Sequence, residues 1–469
     1  MFRMPTAIAG SAVVALSMSA QSPPIAATES NVAPRSDELV LKESDQPQSP
    51  VDNAEGLVAV GEYVEAINIV ELEIDNIERR SNRYNIELAR PLVILGDALA
   101  GVGDREGALG AFDRAVHITR VNRGLHHPSQ VDIVYREANV LAANGEVAQA
   151  NRRHEYAYGI LLRSHGGGSP MLLPGIFSLA DWYLVNYNIF SARGLYEHAL
   201  SVADETLTAA DPKRLRALRG MAATYLSERF PPYQKETGSS SSQPLSYRYG
   251  TMPAINNFAK GERALIEVVN VLMASGEASQ EDVADAVLEL GDWYLIFGKH
   301  GRATTLYRHV WELLQAKPDE LARIFDVPTP LYLPLPGDPD TDGVAGRPRT
   351  GVVELSFRVD ESGGVSGIAT LRSEPQDLMD VKVRRAVRRA RYRPAFDGET
   401  TLATEDVRVS HEFMYYPTDD LPADVGSKEH AKAAYHPGGA ARERQAFVQR
   451  SQNGLDPGPA RTGFSRSLR

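Results

Sequence analysis

Leu92–Ala115 reads LVILGDALAGVGDREGALGAFDRA, and its spacing of small and aromatic residues decides the fold. Gly96, Ala108 and Ala115 are small enough for two helices to approach closely. Gly103 lies between the two helical patterns, where it closes the first helix and reverses the chain. Phe112 shares a helix face with Ala108 and Ala115. The stretch therefore reads as a helical hairpin, and the same markers recur with a step of about 42 residues. Ala54, Gly96, Ala138, Ala180 and Ala222 share one phase, followed three residues later by Leu57, Leu99, Leu141, Tyr183 and Tyr225. Gly61, Gly103 and Gly145 hold the turn phase, and Ala66, Ala108, Ala150 and Ala192 open the second helices. A fixed period of this kind marks stacked repeats, each covering its neighbour's apolar face.

At these residues the chain resembles the tetratricopeptide repeat family. The residues that carry the likeness are Gly96, Ala108, Phe112 and Ala115 in one copy and Gly291, Ala303 and Tyr307 in another. The period exceeds the family's usual length of roughly 34 residues, so helices or turns between repeats must be longer. That is so in the subgroup similar to kinesin light chains, whose connection the turn Gly124-Leu-His-His-Pro128 resembles. Six hairpins are expected within 51–325, the fifth split by a loop insertion at 231–257 rich in Pro, Ser and Gly. The resemblance implies a curved solenoid whose hollow surface suits a peptide or a helix of another protein.

A Pro-, Gly- and Asp-dense stretch, 326–350, ends the helical period and reads as a linker. Val353, Leu355, Phe357 and Val359 then alternate with polar residues, the rhythm of a half-buried strand. A turn at Glu361–Gly364 leads to a second strand through Val365, Ile368 and Leu371. Asp377–Ala390 reads as a helix with Leu378, Val383, Ala386, Val387 and Ala390 on its apolar side, and Thr401–Tyr416 as a last strand. This order, with Tyr392, Pro394 and Ala395 directly after a basic helix, resembles the C-terminal domain of TonB. The fold class expected is thus multidomain, an all-α tetratricopeptide-type solenoid followed by a small α+β TonB C-terminal-like domain at 351–416. The resemblance further implies a sheet edge that adds an extended peptide as a strand, placed at Val407, Val409, His411 and Phe413.

The termini read differently. Arg3 followed by a short apolar run and small residues reads as a signal peptide at 1–27, and 28–50 as a polar disordered leader. Residues 417–469 read as a disordered tail. Cysteine is absent, which excludes disulfides, thiolate metal sites and lipid attachment to an N-terminal cysteine. A formal net charge of -11 leaves no excess of cations to replace phosphate counterions, so nucleic acid is not the expected partner.

No constellation for chemistry emerges. His126 and His127 sit in a turn, His300 and His309 do not share a helix face, and no HExxH occurs. Gly166-Gly-Gly-Ser lacks the lysine of a phosphate loop. Asp204, Glu205, Glu277, Glu281 and Asp282 are read near helix starts and turns, where a carboxylate complements the helix dipole. The basic run Lys382, Arg384, Arg385, Arg388, Arg389, Arg391 and Arg393 is either a solvated helix face or a surface for an anionic partner. No catalytic residue, metal, cofactor or small-molecule substrate is expected. The reading is a non-catalytic periplasmic adaptor that binds envelope proteins, including a peptide segment of an outer-membrane receptor. The alternative is a TonB-type energy transducer with a retained N-terminal anchor in the inner membrane.

Overall fold

The structure is a computed structural model that describes residues 49–232, 257–339 and 349–417. The expected signal peptide, nearly all of the leader and the insertion, and the tail beyond 417 lie outside the described residues. Among the described residues, no helix is long and apolar enough to cross a membrane.

Six helical pairs follow one another, as the period implies. They are α1 (Pro50–Val60) with α2 (Tyr63–Arg80), α3 (Ala89–Gly101) with α4 (Arg105–Arg123), and α5 (Val131–Ala143) with α6 (Val147–His165). Then come α7 (Leu173–Val185) with α8 (Ile189–Thr206), α9 (Pro212–Arg229) with α10 (Asn257–Ala274), and α11 (Gln280–Ile296) with α12 (His300–Leu314). The long period has two sources. The second helices α4 and α6 run 19 residues against 13 for their partners α3 and α5. A 3-10 turn also precedes α3, α5 and α7, at Ile86–Leu88, Pro128–Gln130 and Pro170–Leu172. Asn85, His127 and Ser169 cap these turns, each side chain accepting from a backbone N–H two residues on.

The hairpin turns repeat one device. Gly103 takes φ +85°, its N–H donates to the Ala100 carbonyl, and the Asp104 N–H reaches back to Leu99 at 2.9 Å. This Schellman closure satisfies carbonyls that the helix end would otherwise orphan. Gly145 closes its hairpin with the same pair of bonds. In the fourth copy Tyr187 stands at the glycine phase and still adopts φ +57°, so the hairpin imposes the left-handed turn on a side chain that disfavours it.

Between the helices the small and aromatic positions of the repeat meet. A Cβ on Gly96 would overlap the Phe112 ring, and one on Gly291 would lie 2.8 Å from Tyr307. Ala108, Ala115, Ala192 and Ala303 are fully buried at these crossings. Each large apolar side chain so buried contributes roughly 1.5–3 kcal/mol. Of the aromatic residues on the helical pairs, Tyr196, Trp293, Tyr294 and Tyr307 are core, whereas Phe190 is exposed. One charge reading needs correction. Asp204 and Glu205 lie in the last turn of α8, the unfavourable end of the dipole, and Asp204 is held there by Arg214 at 2.6 Å.

After α12 a short helix, α13 (Pro318–Phe325), covers the last pair, and the α+β part follows. Within the stretch read as a linker, Thr329–Tyr332 forms strand β1. Strand β2 (Arg349–Val359) buries Val353, Leu355, Phe357 and Val359 on alternate positions. Strand β3 (Val365–Glu374) is mostly exposed, with Leu371 outward. The basic helix α14 (Asp380–Arg389) starts later than its apolar pattern suggests, so Met379 is buried and Leu378 is exposed. Then come β4 (Arg391–Arg393), β5 (Ala395–Phe396), β6 (Thr401–Leu402) and β7 (Thr404–Tyr415). The three-stranded sheet has the order β3-β2-β7, while β1 pairs antiparallel with β4 and β5 with β6.

Two compact units result. Among the described residues, the first joins the helical pairs to residues 353–411, and the second takes 337–339, 349–352 and 412–417. Within the second, the Met414 N–H donates to Asp338 Oδ1 at 2.7 Å, and the Thr350 hydroxyl lies 3.6 Å from the Met414 sulfur.

Candidate functional site

Strand β7 pairs with β2 on one side and stands at the border of the sheet among the described residues. Its pleat sends Val409 and Phe413 into the core and leaves Val407 and His411 half-buried. Arg408 and Glu412 point to solvent on the opposite face. A border strand presents a row of backbone donors and acceptors spaced to accept another strand. The four side chains singled out in β7 thus share one face of the strand.

Tyr392, Pro394 and Ala395 have a different place. All three are buried, and the segment that holds them seats the α+β part on the last helical pair. Burial raises the Tyr392 hydroxyl pKa. The Tyr392 N–H donates to the Gly363 carbonyl at 2.9 Å, and the β4 backbone pairs with β1, Pro330 opposite Tyr392. Two residues beyond Pro394, Phe396 enters the core of the helical array. Its ring lies 5.3 Å from Phe325, 6.0 Å from Trp311 and 6.1 Å from Tyr307, centre to centre.

Arg393, the last cation of the basic run, is buried beside Asp292 of α11, with Nε 3.7 Å from the carboxylate. That separation suits an ion pair but is too long for a hydrogen bond. Asp292 also accepts from the Tyr307 hydroxyl at 2.9 Å. Burial pushes the Asp292 carboxyl up to about 6, against the opposing pull of Arg393 and the Tyr307 hydroxyl. The phenol of Tyr307 is driven well above its ordinary value by burial and by that carboxylate.

This trio repeats an arrangement found between repeats. Asp97, Asp181 and Asp292 each follow a small marker residue, and each meets an arginine from further along the chain. Asp97 takes Arg136 of the next pair, and Asp181 takes Arg216 at 2.6 Å together with the Tyr196 hydroxyl. At the last pair no further repeat exists among the described residues, and Arg393 supplies the missing cation. The terminal domain therefore closes the array by imitating the next repeat. The aspartates escaped the sequence reading, although a Gly-Asp or Ala-Asp step at the marker phase was visible at Gly96-Asp97, Ala180-Asp181 and Gly291-Asp292.

Elsewhere polar side chains tie helices together within and between repeats. Arg120 donates to the Gln130 side chain at 3.0 Å and to the Tyr156 hydroxyl at 2.9 Å. Glu137 is buried against Arg153 at 3.0 Å, and burial lifts its carboxyl to about 7. His154 stacks on Trp182 at 4.3 Å, and burial lowers its imidazole to about 4. Among the described residues no group of His, Asp and Glu could hold a metal ion. These groups brace the array.

The architecture is that of a helical-repeat protein ending in a small sheet domain. Residues 345–413 match the family described as the Gram-negative bacterial TonB protein C-terminal. The chain is thus an array of helical hairpins followed by a segment that matches the TonB C-terminal family. Several solved repeat structures are similar to it. A putative kinesin light chain with nearly identical TPR-like repeats from Podosopora anserina is 18% identical over 49% of this chain and 97% of that one, with a TM-score of 0.37. BtubC (BKLC) from P. vanneervenii is 14% identical over 63% of this chain and 99% of that one, with a TM-score of 0.39. A tetratricopeptide repeat protein from Parabacteroides merdae is 16% identical over 59% and 97%, with a TM-score of 0.27. No curated protein matches the sequence.

Proposed function

We propose that the protein is a non-catalytic periplasmic adaptor whose β7 border captures an extended peptide of an envelope partner, such as an outer-membrane receptor, as an added strand. The observation that supports this reading is the position of β7 at the sheet border, with alternate side chains Val409 and Phe413 anchored beneath it. Backbone bonds along the border supply affinity, and the residues that alternate with the anchors supply selection. The hollow face of the helical array holds a second protein, so the chain joins two partners without chemistry of its own.

The test uses periplasmic peptides of outer-membrane receptors immobilised on resin and the full chain in solution. Val409→Pro removes an N–H from β7 and should abolish capture. Because Val409 is buried, the substitution is paired with a probe that leaves the protein intact: the same peptides N-methylated at alternate backbone amides. Strand addition requires that the methylated peptides lose binding while wild-type helicity is unchanged. Equal capture of both peptide forms refutes it.

A further inference from the structure

Arginines on the helical pairs are mostly neutralised: Arg90, Arg136, Arg193, Arg214, Arg216 and Arg219 each meet a carboxylate. A cleft of about 440 Å³ departs from that pattern. It lies between the C-terminal end of α9, the turn joining α11 to α12, and the basic helix of the terminal domain. Arg229, Arg388, Arg391 and His300 line it, and among the described residues none of the three arginines has an ion-pair partner. In a chain with 61 acidic and 50 basic side chains, such a concentration of unneutralised cations is a local exception.

The one carboxylate on the cleft wall is already engaged. Asp360 accepts from the Ser362 hydroxyl at 2.6 Å, the Ser362 N–H at 2.8 Å and the Gly364 N–H at 2.9 Å, bonds that close its turn. Part of the wall is aromatic. Phe230 meets Phe297 edge to face at 5.4 Å, with Leu295 and Ile296 alongside. Cations beside aromatic faces suit a ligand that is anionic at one point and apolar at the next. Inorganic phosphate would leave the aromatic wall unused, and a flat bilayer cannot enter a concavity between helices.

We propose that this cleft binds an acidic peptide segment of a partner protein, its carboxylate held by the arginines and a neighbouring apolar side chain laid against Phe230 and Phe297. The site is separate from the β7 border and does not depend on strand addition there. Its likeness to a coincidence point is functional: a partner bound here touches the helical array and the terminal domain together.

The experiment measures fluorescence anisotropy of the full chain with a fluorescein-labelled peptide alternating Glu and Phe. Its twin with Gln for Glu, inorganic phosphate as competitor, and vesicles of anionic phospholipid complete the set. The expected result is saturable binding of the Glu peptide that weakens as salt rises, with the Gln twin at least tenfold weaker. Arg229→Glu combined with Arg388→Glu, both exposed, should weaken binding at least tenfold with unchanged circular dichroism. An unlabelled receptor peptide captured at the β7 border should not displace the Glu peptide. Equal affinity for the twin, full retention of binding in the double variant, displacement by phosphate at peptide-like concentrations, or capture by vesicles alone would overturn the proposal. Displacement by that receptor peptide would move the acidic peptide to the sheet border and overturn it as well. The twin comparison needs only wild-type protein, so a folding defect in the double variant cannot rescue or sink the idea by itself.

Discussion

Replacing Phe396 by Ala separates a docked cap from a tethered module. The ring is buried, only 3% exposed, among side chains of α12 and α13. An aromatic side chain buries roughly 150–250 Å², which at about 25 cal/mol per Å² is worth about 4–6 kcal/mol as an upper bound. Measured Phe→Ala losses in cores run at about 3–5 kcal/mol, since partial collapse and the cavity term pull in opposite directions. Three aromatic neighbours at 5.3–6.1 Å place this site in the upper part of that range. The readout is urea unfolding by tryptophan fluorescence in a Trp182→Phe background, which leaves Trp293 and Trp311 of the last pair as reporters. Phe396→Ala should destabilise that signal by about 4–5 kcal/mol. A loss below about 1 kcal/mol, with the sheet still folded, would show that the terminal domain does not cap the array.

Three further outcomes follow from the geometry. Gly103→Ala meets no atom within 4 Å but must hold φ +85°, so thermal melts should show a loss of about 1–2 kcal/mol from backbone strain alone. Gly96→Ala is overpacked against Phe112 and should cost about 1–3 kcal/mol, relieved in the double variant with Phe112→Leu. The third concerns acidity. Glu137, raised to about 7, binds its proton more tightly in the folded state, so its contribution falls as pH rises from about 4.5 to 7. His154, lowered to about 4, acts oppositely, and its contribution grows as pH rises from about 4 to 6.5. Relative to the wild type, Glu137→Gln should therefore gain stability as pH rises from about 4.5 to 7, by up to roughly 1.4 kcal/mol per unit; a difference that does not change with pH would contradict the raised carboxyl.

The helical pairs were legible because their contacts are local. Gly96 meets Phe112 and Gly291 meets Tyr307 across a single turn, so a fixed spacing in the chain records the contact. The alternation of Val353, Leu355, Phe357 and Val359 records its strand in the same way. The seam between array and sheet left no such record. Asp292 and Arg393, or Phe396 and Phe325, are brought together only by the whole fold, and no period connects them. The basic run was visible as charge, yet nothing in its composition separates buried Arg393 from exposed Arg388. Tyr187 shows the converse: the turn survives where its glycine is missing, because the bonds of the hairpin on either side fix the backbone.

The proposed adaptor role turns on whether a partner's backbone lies along β7. Amide hydrogen exchange across Thr404–Tyr415, read with and without a captured receptor peptide, addresses this directly. Strand addition requires slowing at every second amide of β7, those that face outward from β2, with exchange in the helical pairs unaltered. Protection confined to the helices, or none in β7 at saturating peptide, would contradict it.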